Sequence, residues 1–214
     1  MESKKYLDDI SHIKDMMSRS SRFISLSGLS GILAGIYALI GAWFAEKAMK
    51  SIAINGSRSY DYFSDANSIE FGNDIIFEFF LIAILVILAA MSTGVILSVR
   101  KAKRKNVKLW DTSSKYLVVN FFIPLLTGGL FCLVLLQYNL AGLVAPATLI
   151  FYGLACVNAS KYTFGDVRYL GLANIIIGLV ATQFIGYGLY FWALGFGVFH
   201  ILYGSLMYSK YDRK

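Results

Sequence analysis

Four polar side chains stand inside otherwise apolar stretches of the sequence: His200, Asn174, Asn120 and Thr127. A histidine among apolar neighbours needs a hydrogen-bond partner, and its ring can bind a ligand, hold a metal or move a proton. Counted inward from the basic end of each run at 1.5 Å per residue, His200 lies ~12 Å deep, Asn174 ~9 Å and Asn120 ~6 Å. Pro124 lacks an N–H and so frees the carbonyl of Asn120, which predicts a kink in that helix; Asn120, Pro124 and Thr127 share one face. A cluster of His200, Asn174, Asn120 and Thr127 is the candidate ligand site. The plainer reading of the same residues is interhelical glue, since amides, hydroxyls and imidazoles hydrogen-bond across helices in lipid. The other histidine, His12, lies outside the apolar runs, so no metal or haem centre is expected. No catalytic residues and no cofactor are assigned. The interiors of the apolar runs lack Asp, Glu, Lys and Arg, and no nucleophile–base motif or phosphate-cradling glycine loop is present, which disfavours an embedded enzyme.

The elements that must position these groups follow from composition. Of 214 residues, 57% are hydrophobic and only 15% charged, against ~25% charged in a soluble domain. Too little charge remains to face water, and lipid is the expected solvent. Apolar runs of roughly twenty residues read as spans. Six are expected, at about 22–45, 75–99, 116–138, 141–159, 168–187 and 190–208. The predicted fold is therefore an all-α integral membrane protein: a bundle of six transmembrane helices in three hairpins. Two of the hairpin turns are Gln137–Gly142 and Gly186–Tyr190. No signal peptide is apparent, so the first span is expected to stay. Residues 1–21 form an N-terminal segment in which Tyr6, Ile10, Ile13, Met16 and Met17 recur at helical spacing, predicting an amphipathic cytoplasmic helix. Residues 209–214 form a short tail.

Charge then orients the bundle. The stretch Ser98–Tyr116 holds seven cations and one anion. With six spans, seventeen of the twenty Lys and Arg fall on the side of the two termini. The other side keeps only Lys47, Lys50 and Arg58, within the predicted outer loop 46–74. Basic loops stay inside, so both termini are expected in the cytoplasm, with 100–115 as the main orienting loop. The expected location is a bacterial cytoplasmic (inner) membrane. A nucleic-acid reading of the basic stretch needs charge beyond what topology uses, and none is in surplus. The acids of the outer loop lack the order that wraps calcium.

Small residues supply the packing. Ser27, Gly31, Gly35, Ala38 and Ala42 share one face of the first span, and Gly197 and Gly204 share a face with His200 in the sixth. Such seams let backbones approach closely, within one chain or between copies, so a homo-oligomer is one expectation. Cys132 and Cys156 differ in depth by ~18 Å, too far for a disulfide. The similar openings "SSRFI" (20–24), "SSKYL" (113–117) and "DVRYL" (166–170), with "SKY" at 160–162 and 209–211, suggest a repeated hairpin. Interfacial anchoring by a cation and a tyrosine explains them better. Two functions follow. The first is a non-enzymatic accessory or sensing protein that contacts membrane lipid and engages a cytoplasmic partner through 1–20 and 100–115. The second is a facilitator of a neutral or lipid-like small molecule.

Overall fold

The structure, a computed structural model, describes residues 27–55, 73–104 and 110–212, with Tyr6. The described residues are helical or in turns, and the chain is an all-α integral membrane protein. Helix α1 is Gly28–Asn55, α2 Asn73–Arg104 and α3 Thr112–Gln137. A short 3-10 turn (Ala141–Leu143) leads into α4, Val144–Ala159. Helix α5 is Val167–Ala181. The last rod, α6, runs over 188–212 and changes pitch: α-helical at Gly188–Trp192, π-helical at Ala193–Val198, α-helical at Phe199–Met207 and π-helical at Tyr208–Asp212.

Among the described residues, five helices are long and apolar enough to cross a membrane: Gly28–Lys50, Phe77–Arg104, Thr112–Gln137, Ala141–Ala159 and Gly188–Tyr211. The fifth predicted span, 168–187, is helical only to Ala181. Its fifteen residues rise ~22 Å, short of a ~30 Å hydrocarbon core. Beyond Ala181 the chain goes on through turns, with Gly186 at φ 100°. Apolar residues such as Phe184 and Ile185 continue there, which is why composition alone extended the helix.

Two loop boundaries also move. The predicted outer loop begins inside α1, where Glu46 and Lys50, one turn apart, pair at 2.8 Å and carry the helix on to Asn55. The described residues of the predicted basic loop are largely helical, because α2 runs through Arg100–Arg104 and α3 starts at Thr112. The single anion of that stretch, Asp111, caps α3: its carboxylate accepts from the Ser114 N–H at 2.7 Å and from the Ser114 hydroxyl at 2.8 Å. The predicted amphipathic helix at 1–21 lies outside the described residues, apart from Tyr6.

Helix α6 packs on α1, α1 carries α2 on its flank, and α4 sits between α3, α5 and α6. The third predicted hairpin is thus not the main packed pair, since α5 lies chiefly on α4 and α6 chiefly on α1. Glycines explain it. A Cβ on Gly31 would come 3.1 Å from the Gly204 Cα, and one on Gly35 would come 2.6 Å from the Gly197 carbonyl. Similarly, a Cβ on Gly171 would come 2.6 Å from the Gly153 carbonyl, which pins α5 to α4. The α1 seam, whose Ala38 and Ala42 are also buried, is therefore taken up within the chain.

Candidate functional site

One polar contact joins α4 to α6. The Tyr152 hydroxyl lies 2.6 Å from His200 Nε2, and His200 Nδ1 lies 3.0 Å from the Gly195 carbonyl. A carbonyl oxygen only accepts, so Nδ1 carries the ring hydrogen and Nε2 accepts from the tyrosine. Both nitrogens of a neutral imidazole are then satisfied. Phe196 packs on both rings, with centroids 4.9 Å from Tyr152 and 5.9 Å from His200. The π-helical turn that contains Gly195 lies where α6 meets neighbours on two sides, Gly35 of α1 through Gly197 and Asn174 of α5 through Gly195. Wide turns of this kind recur at functional positions and at points of close packing.

Asn174 is fully buried. Its Nδ2 donates to the Leu170 carbonyl at 2.9 Å, while Oδ1 is without a partner. A Cβ on Gly195 would stand 2.6 Å from that Oδ1. The backbone of Gly195 therefore serves two of the predicted site residues, meeting His200 with its carbonyl and Asn174 with its bare Cα. The Tyr203 hydroxyl is likewise buried and unpartnered.

Asn120 and Thr127 belong elsewhere. Asn158 of α4 donates to the Asn120 carbonyl at 2.9 Å and reaches its Oδ1 at 3.3 Å. The carbonyl that Pro124 frees is thus used by a neighbouring helix. Asn120 Nδ2 returns to the Tyr116 carbonyl at 2.8 Å. Thr127 donates to the Ile123 carbonyl of its own helix at 2.8 Å and lines a shallow groove with Pro124, Phe151 and Asn158. The four predicted residues therefore form two groups, His200 with Asn174 and Asn120 beside Thr127. Sequence reasoning missed Tyr152, Asn158 and Gly195. Tyr152 had a visible signal, because a phenol in mid-run, away from either interface, needs a partner. Cys132 and Cys156 are free and buried. Among the described residues, no three His, Cys, Asp or Glu side chains gather closely enough to hold an ion.

A second constellation ties the basic end together around the turn 160–166. Lys210 of α6 donates to Asp166 at 2.8 Å, and the Tyr211 hydroxyl donates to the same oxygen at 3.0 Å. The hydrogen bond from Lys210 is the main cause that holds the Asp166 carboxyl below its ordinary value; burial opposes it, and the Tyr211 bond adds a smaller lowering. Phe164 packs on Tyr211 at 4.3 Å, and Lys101 of α2 lies over the Phe164 ring at 5.6 Å. Tyr116 of α3 stacks on Tyr162 at 5.7 Å. The two "SKY" tyrosines thus serve as ties between elements. Around them Lys103, Arg104, Lys115, Lys161 and Arg168 are exposed.

No family model matches the chain, and no curated protein or solved structure shows significant similarity to it.

Proposed function

We propose that the protein is a multi-pass membrane protein of the six-span type, with an N-terminal amphipathic helix, and that it is a non-enzymatic accessory or sensing protein. In this reading Val167–Ala181 and its following turn make the fifth of the six crossings. Both termini then share one side, which the charge bias assigns to the cytoplasm of a bacterial cell. The basic end engages the partner, with residues 1–20 adding a docking helix. The observation that carries this reading is the convergence of α2, α3 and α6 on the turn 160–166, in the midst of exposed cations. A charged surface held rigid by aromatic and ionic ties suits recognition of an acidic partner, because complementary charge steers encounter and sets register.

A photo-crosslinking residue placed at Lys103 or Lys115 tests this in the native membrane. The expected result is a discrete protein adduct that disappears when residues 1–18 are deleted, with none from the same probe at Phe80. Adducts to lipid alone would contradict it.

One observation favours the facilitator reading as a second. The Asn174 Oδ1 and the Tyr203 hydroxyl are buried polar groups without partners, and a neutral polar solute could satisfy them. Asn174→Leu would then abolish solute uptake while the helices persist.

A further inference from the structure

At the end of the bundle away from the basic turn, the helices enclose a hollow of about 290 Å³. Its walls come from several elements, among them Ala45 of α1, Ala83 of α2, Leu136 of α3, Thr148 of α4, and Leu189 and Trp192 of α6. Along α4 it reaches from the Ala141 turn to Thr148, ~10 Å at helical rise. It touches neither His200 nor Asn174.

The lining identifies what fills it. Its polar side-chain groups are the Thr148 hydroxyl, already donated to the Ala145 carbonyl at 2.7 Å, and the Trp192 indole N–H. A buried water needs about three hydrogen-bond partners, and apolar cavities stay dry and accept hydrocarbon. The hollow also has a side opening. Helix α2 packs on α1 and has no comparable contact with α3, so the wall between Ala83 and Leu136 lacks helix-to-helix packing. No residue in the most apolar stretch of α2 is buried, which leaves this helix flanked by lipid. Next along the chain to the lining residues Ala45 and Leu189, Glu46 pairs with Lys50 at 2.8 Å and meets the Tyr190 hydroxyl at 3.5 Å, polar groups that a lipid headgroup could meet.

We propose that this hollow is a lipid-chain site: one acyl chain of a bilayer lipid enters between α2 and α3 and lies against Trp192. The site is separate from the polar contacts of α4, α5 and α6 and rests on neither functional reading above.

Trp192 supplies the probe. In a Trp43→Phe, Trp110→Phe background it is the sole tryptophan, because the chain has three. The protein is placed in phosphatidylcholine vesicles whose acyl chains carry bromine at carbons 6 and 7, mixed with unbrominated lipid. Fluorescence is expected to fall at least twofold in the fully brominated bilayer, in near-linear proportion to the brominated fraction, as for one chain at one site. Ala45→Phe and Ala83→Phe, made separately to fill the hollow from two different helices, are each expected to remove most of the quenching. Absence of quenching overturns the proposal and leaves the hollow to residues 56–72 or to another protein. A steep dependence on brominated fraction, the signature of several surrounding lipids, overturns it without any substitution. Quenching that survives whichever filled variant folds also overturns it.

Discussion

Tyr152 and His200 act as one unit. Removing either leaves the other without this hydrogen-bond partner, at a contact packed between α4 and α6. His200→Ala is expected to destabilise the protein by about 1–3 kcal/mol. Tyr152→Phe should lose a comparable amount, and the double variant less than the sum by a coupling of about 0.6–1.7 kcal/mol. Unfolding of the four proteins in one detergent measures this; strict additivity would show that the contact is not energetically real. The sequence pointed to half of it. His200 shares a face with Gly197 and Gly204, which marked it as inward-facing. Its partner Tyr152 carried a weaker signal: a mid-run phenol needs a hydrogen-bond partner, but nothing in the sequence says which. Asn158 escaped for a different reason. It lies near the end of α4, where an amide reads as interfacial, yet it reaches across to the carbonyl that Pro124 frees.

At the scale of elements, small residues decide which helices touch. Gly31 and Gly35 were visible as a seam, and so were Gly197 and Gly204, but spacing gives each helix its face and not the face it meets. That α1 meets α6, and α5 meets α4 through Gly153 and Gly171, is three-dimensional information. The end of α5 was unreadable in the same sense, since the apolar residues outlast the helix. The tie between the start of α5 and the end of α6 gives a pH prediction. A carboxyl held below its ordinary 3.8 stabilises the fold at pH values above 3.8, and that contribution fades as pH falls through the lower folded value. Asp166→Asn should therefore lower the melting temperature at neutral pH and converge with the unsubstituted protein once the pH has fallen below the lowered folded value. An equal deficit at both ends of that range would show that Asp166 acts through packing and not through its charge. Such a tie is partly exposed, so a small effect is expected.

Across the whole molecule, polarity is divided between two ends. One end gathers exposed cations around the turn 160–166; the other holds an apolar hollow and the Glu46–Lys50 pair. This division was the most legible property of the chain, because it depends on counting Lys and Arg and not on knowing which helices touch. The proposed partner surface and the placement of both termini depend on the orientation that this division implies. The measurement that tests it most directly starts from a Cys132→Ala, Cys156→Ala protein and adds one cysteine, at Ser59 or at Asn106. A membrane-impermeant thiol reagent is applied to intact cells and again after permeabilisation. Labelling of Ser59→Cys in intact cells, with Asn106→Cys labelled only after permeabilisation, is the predicted result. Labelling of Asn106→Cys from outside would place the basic end outside the cell and contradict the account.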